Sequence, residues 1–151
     1  MVSPLAKVLI IYDSRTGNTE KLARAIAEGA RGVPGVDVVL KKTREVTPED
    51  LASADAFAFG SPSHFSIMSG EVLTMFTNIY AYRDHVAGKP ACVFTTGSGG
   101  QVNALDNIEK ILGNFNPKWI KPGMAVHGAP SEKDIEQARK LGEKLAKAAA
   151  K

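Results

Sequence analysis

The chain has 151 residues, 44% hydrophobic and 23% charged, which suits one soluble domain with one sizeable core and is too short for two. Lys and Arg number 19 against 16 Asp and Glu, a formal net charge of +3, an excess too small to imply a nucleic-acid partner. The one cysteine, Cys92, excludes an internal disulfide and a Cys-based metal site. Val8-Leu9-Ile10-Ile11, ahead of Tyr12-Asp13, is too short for a signal-peptide core or a membrane span, so a cytoplasmic protein with no membrane partner is the expectation.

In chain order, Lys7 to Tyr12 is a continuous β-branched run, as in a strand buried on both faces. Asn18 to Arg31 places Leu22, Ala23, Ile26, Ala27 and Ala30 on one helical face, and Gly32-Val33-Pro34-Gly35 stops that helix. Val36 to Leu40 is a second strand, followed by the basic stretch Lys41-Lys42-Thr43-Arg44, which reads as a solvated strand end. Thr47 caps a short helix with Pro48 at its first position. Asp55 to Phe59 is a third strand, ended by Gly60-Ser61-Pro62. Glu71 to Tyr82 is helical, with Val72, Met75, Phe76 and Ile79 inward.

Pro90 to Thr95 is a fourth strand, within which Cys92 reads as a small buried hydrophobe. Gln101 to Leu112 is a helix carrying Leu105, Ile108 and Leu112. Trp119 to Val126 is a fifth strand interrupted by Pro122-Gly123, which an edge position tolerates. Ser131 and Asp134 cap a last helix with Ile135, Ala138, Leu141 and Leu145 in its stripe. Five strands alternating with five helices imply a doubly wound α/β sandwich with a parallel sheet. Ligands then bind at the carboxyl ends of the strands, which draws attention to the loops after strands one, three and four.

Ser14-Arg15-Thr16-Gly17-Asn18-Thr19 offers several hydroxyl and amide groups and then opens a helix. The first-turn N–H groups of a helix have no internal partner and attract anions, and Gly17 lets a ligand approach the backbone. So many donors around one point suit a terminal phosphate monoester. Ser, Thr and Asn are also ordinary caps and turn formers, but one cap accounts for only one of them. Neither Gly-x-x-x-x-Gly-Lys-Ser/Thr nor a Gly-x-Gly-x-x-Gly after strand one occurs.

Tyr12 to Lys21 resembles the FMN phosphate loop of flavodoxins, with its Ser/Thr-x-Thr-Gly-Asn-Thr pattern. Gly60-Ser61-Pro62-Ser63-His64-Phe65-Ser66-Ile67-Met68-Ser69-Gly70 is similar to the flavin loop of WrbA-like NAD(P)H:quinone oxidoreductases, Gly-x-Pro-x-Arg-Phe-Gly-x-Met-Ser/Ala-Gly. Thr95-Thr96-Gly97-Ser98-Gly99-Gly100-Gln101 resembles their glycine-rich loop. The resemblance implies a flavodoxin-like fold with strand order 2-1-3-4-5 and FMN as cofactor. Its phosphate lies on 14–19 and its ring between 61–66 and 96–101. By the residues alone, Phe65 and Met68 also fit a core, and the glycines a flexible turn.

The departures from the resemblance are specific. The glycine after the loop Phe is Ser66 here, which leaves a peptide flip coupled to flavin protonation less free. The loop Arg is His64, which removes a permanent charge; His64 fits either a redox-tuning role or an exposed loop histidine. The stretch after the fifth strand is shorter than the oligomerisation segment of the oxidoreductases. Flavodoxins proper are usually acidic and stack a Tyr from the strand-four loop, whereas this chain is slightly basic and has no aromatic between Thr95 and Asn114. On balance the resemblance implies an electron carrier serving redox partner proteins, a reductase and an electron acceptor. The alternative is an FMN-dependent reductase using NAD(P)H and a quinone.

Other chemistries lack their residues. A phosphorelay receiver needs an Asp after strand three, where Gly60-Ser61-Pro62 stands. No metal-ligand cluster occurs. His85 suits a helix end, and His127 has no acid or nucleophile spaced for a triad.

Overall fold

A computed structural model describes residues 5–150; residues 1–4 and 151 of the expected 1–151 domain lie outside the described residues. β1 (Ala6–Tyr12) shows why its sequence is unbroken in apolar character. Leu9 and Ile11 enter one buried cluster while Val8, Ile10 and Tyr12 enter another. A strand alternates its side chains between two faces, so an apolar run means that both are covered.

The remaining elements are α1 (Asn18–Arg31), β2 (Val36–Lys42), α2 (Pro48–Ser53), β3 (Ala56–His64), β4 (Ile67–Met68), α3 (Gly70–Ile79), β5 (Pro90–Gly97), α4 (Gln101–Leu112), β6 (Lys118–Trp119), β7 (Met124–His127) and α5 (Glu132–Ala149). The parallel sheet runs β2-β1-β3-β5, with β6 and β7 both against the far side of β5. Counting β6 and β7 as two pieces of one strand, and β4 as a hairpin arm, this is the order 2-1-3-4-5. α1 and α5 bury their stripes on one face, and α2, α3 and α4 cover the other.

The helices start where their caps dictate. Thr47 Oγ1 accepts from the Asp50 N–H while Asp50 accepts from the Thr47 N–H, and Ser131 and Asp134 repeat that box at α5. Between α1 and α5 the backbones nearly touch. A methyl group built on Gly142 would overlap the Ile26 carbonyl oxygen, and one on Gly29 would overlap that of Arg139. The surface pair Arg139–Glu28, at 3.2 Å, is exposed on both sides and adds at most about 1 kcal/mol. Contact of the two backbones is what sets this crossing.

Three expectations change. β3 does not end at Gly60-Ser61-Pro62 but continues to His64, with Ser61 and Pro62 still opposite Thr95 and Thr96 of β5. β1 has already stopped opposite Gly60, so at Ser61 and Pro62 the strand partner of β3 is β5 alone, a setting in which Pro is tolerated. The helix expected over 71–82 is α-helical only to Ile79 and tightens into a 3₁₀ segment, Tyr80–His85. The fifth strand is, as expected, interrupted around Pro122-Gly123, at 120–123, and lies at the sheet edge. Lys41 is not a free solvated end: its ammonium reaches both carboxylate oxygens of Asp50 at 2.9 and 3.0 Å, and Thr43 is buried.

Candidate functional site

At the carboxyl edge of the sheet a cavity of about 580 Å³ lies between four loops, within the range of small-ligand sites. Arg15, Thr16 and Asn18 form one wall, Pro62, Ser63, His64 and Phe65 the second, and Thr96, Gly97 and Ser98 the third. Gly128 completes the lining. The three loops singled out by sequence therefore meet at one place. No carboxylate lines the cavity; Arg15 and His64 are its titratable side chains, so an anion meets no fixed opposing charge on the walls.

The first wall is built by the start of α1. Ser14 braces the turn: its Oγ accepts from the N–H groups of Gly17 and Glu20, both at 3.2 Å. Gly17 adopts φ 94°, a left-handed turn that glycine enters without penalty. Among the described residues, the backbone N–H groups of Arg15, Thr16, Asn18 and Thr19 have no protein acceptor. Unsatisfied N–H groups at a helix N-terminus constitute an anion site. Thr19 is buried and its hydroxyl shares a 2.8 Å hydrogen bond with that of Thr96, tying the first wall to the third.

The second wall is a hairpin. Ser63 and His64 of β3 pair with Met68 and Ile67 of β4 around the two-residue turn Phe65-Ser66. Both turn residues have positive φ, 56° and 66°, the requirement of a type I′ turn that is normally met by Asn and Gly. Phe65 at the tip is fully exposed. The hairpin is anchored at its base by a chain of hydroxyls. Ser69 donates to Asp13 Oδ2 at 2.7 Å, its N–H donates to Ser61 Oγ at 2.9 Å, and Ser61 donates to the Pro62 carbonyl at 2.7 Å. The Met68 N–H donates to Asn107 Oδ1 at 3.1 Å, fastening the returning arm to α4.

Several residues expected at the cofactor do not line the cavity with their side chains. The hydroxyls of Ser14 and Thr19 are hydrogen-bonded within the protein, Ser61 is wholly buried in the hydroxyl chain, and Ser66, together with the lining residue Ser63, packs against the Gly100 backbone. Gln101 accepts from the Gly99 N–H through its side chain and from Thr95 Oγ1 through its carbonyl. Gly17, Ser66, Gly99, Gly100 and Gln101 are not among the lining residues. Conversely, sequence reasoning passed over Gly128, Asp13, Ser69 and Asn107. Gly128 follows the fifth strand at the same sheet edge, and its N–H donates to the Gly97 carbonyl at 2.8 Å; topology was the signal for it.

Elsewhere little competes with this site. Cys92 is fully buried and burial pushes its thiol up to about 12, so it offers no thiolate. His127 is exposed at the end of β7, opposite Gly97. Among the described residues there is no cluster of three or more His, Cys, Asp or Glu placed to hold a metal ion, and no helix long and apolar enough to cross a membrane.

The flavodoxin family model matches residues 10–142 of the chain. A flavodoxin of Aquifex aeolicus (strain VF5) is 37% identical over 159 aligned positions, covering 94% of this chain and 86% of that protein. Among solved structures, a flavodoxin from the domain Archaea superposes with a TM-score of 0.83 at 25% identity, covering 95% of this chain and 98% of the other. The two-electron reduced Megasphaera elsdenii flavodoxin gives 0.79 at 27% identity, covering 93% and 99%. The chain belongs to the flavodoxin family, whose members bind flavin and carry electrons.

Proposed function

We propose that this protein is a single-domain FMN-binding electron carrier that exchanges electrons with redox partner proteins, a reductase as donor and a second protein as acceptor. The observation that carries the reading is the set of unpartnered N–H groups at Arg15, Thr16, Asn18 and Thr19, beside a cavity of about 580 Å³ free of carboxylates. A phosphate monoester fits that donor set, and the hydroxyl of Thr16 and the amide of Asn18 extend it. A flat ring suits the space between the hairpin and the 96–98 segment.

When bound, FMN supplies the capacity to accept and release one or two electrons. The chain's own residues hold and orient it. Ser14 fixes the turn that aims the N–H groups, and the Asp13–Ser69–Ser61 chain fixes the hairpin base. Phe65 presents an exposed aromatic face at the cavity mouth, which covers apolar surface and excludes water when a ring enters. None of these roles requires an acid or a base.

Flavin titration tests the placement. Thr16→Ala or Asn18→Ala is expected to weaken FMN binding by about 1–3 kcal/mol per lost donor; unchanged affinity refutes the assignment of the phosphate to this loop. Steady-state oxidation of NADH and NADPH with benzoquinone tests the carrier reading. The purified FMN-loaded protein is expected to show no rapid turnover alone, and rapid turnover establishes a quinone reductase instead.

A further inference from the structure

Gly100 precedes α4 with φ −107° and ψ 11°, a backbone conformation open to other residues. Its glycine identity is therefore not explained by the turn it makes, and it does not line the cavity. What requires it is the space a side chain would take. A carbon at its Cβ position would stand 2.5 Å from Ser66 Oγ, 2.8 Å from Ser63 Oγ and 2.9 Å from Ser66 Cα. The hairpin thus rests on a bare Cα, and that Cα is fixed to α4 by the Gly100 carbonyl, which accepts from the Ala104 N–H at 2.9 Å.

The hairpin needs such a support. Phe65 and Ser66 both hold positive φ without being glycine, a conformation that persists only where surrounding contacts over-determine it. The turn is gripped from the α4 side at two points, the Met68–Asn107 hydrogen bond and the Gly100 contact. Of these, the Gly100 contact lies directly under Ser66, next to Phe65.

We propose that Gly100 is a positioning residue for the ring side of the site: its missing side chain lets Ser63 and Ser66 seat against the start of α4, which holds Phe65 at the mouth and sets the width of the slot. The inference rests on the flavin reading for its functional consequence, and on the contacts of Gly100 for its geometry. A side chain at position 100 lifts the hairpin and leaves the phosphate wall, on the β1–α1 loop, where it is.

The test uses Gly100→Ala and Gly100→Ser; Ser is a favoured residue at this helix-capping position, so the second variant keeps α4 stable. Each is expected to lower affinity for FMN and for riboflavin by the same factor, about tenfold. Adding Ser66→Gly, which removes one clashing oxygen and suits the positive φ, is expected to restore part of the loss. Wild-type affinity for both flavins overturns the proposal, as does a loss much larger for FMN than for riboflavin, since that places the damage at the phosphate. In flavin-free protein, amide exchange at Met68 and Ser69 is expected to accelerate in both variants, and unchanged exchange overturns the seat itself. If the wild-type protein binds neither flavin, the proposed function fails while the exchange measurement still decides whether Gly100 positions the hairpin.

Discussion

Riboflavin is expected to bind this protein about a thousandfold more weakly than FMN, because the phosphate meets most of the site's directed polar groups. The N–H groups of Arg15, Thr16, Asn18 and Thr19 have no protein acceptor, and hydrogen bonds to a charged group contribute about 1.5–3 kcal/mol each. Three such bonds at the lower figure give about 4.5 kcal/mol, or a factor of one to two thousand, on the order of 10³. The positive end of α1 adds to this. On the ring side, stacking on Phe65 contributes about 0.5–1.5 kcal/mol beyond the area it buries, so the phosphate term is the larger. Calorimetric titration of both ligands into flavin-free protein gives the ratio directly. A ratio below about ten means that the 14–19 loop does not hold the phosphate.

Gly142→Ala is expected to destabilise the fold by about 2–3 kcal/mol, against the direction that helix propensity gives. In a helix interior Ala is better than Gly by about 1 kcal/mol, so propensity alone makes this a stabilising change. The packing decides otherwise, since the added methyl overlaps the Ile26 carbonyl oxygen, a backbone atom that no rotamer change can move. The two helices have to separate, and Gly29 faces Arg139 with the same lack of room, so tilting one end closes the other. For a chain of this size the loss corresponds to a fall of roughly 5–10 °C in Tm. Thermal and urea unfolding check it on flavin-free protein, because bound ligand raises apparent stability by mass action. A raised Tm refutes the crossing geometry.

The doubly wound class was legible because apolar runs and helical stripes alternate cleanly, the strand order came with the family resemblance, and the caps at Thr47 and Ser131 were legible because a capping box is local. The meeting of the three loops followed from topology alone. What escaped reading depends on neighbours that a linear sequence does not display. Pro62 reads as a strand end unless β1 is known to stop at Tyr12. Nothing in Phe65-Ser66 announces a left-handed turn, since neither residue favours it. The 99–101 segment looked like part of a ring-binding wrap, and its packing of Gly100 against Ser63 and Ser66 of the hairpin was not visible. At Pro62 and at the Phe65-Ser66 turn, tertiary contact rather than local preference sets the conformation.

The buried hydroxyl pair of Thr19 and Thr96 joins the first turn of α1 to the end of β5. A ligand with an anionic end and a flat end therefore behaves toward this frame as a tethered, bivalent one. Once either end has landed, the other faces its wall at the high effective concentration that a short link confers. The frame itself loses little freedom when both ends engage, because that bond already holds the two walls at a fixed spacing. Inorganic phosphate and an unlinked ring supplied together lack that advantage, however well each fits its own half.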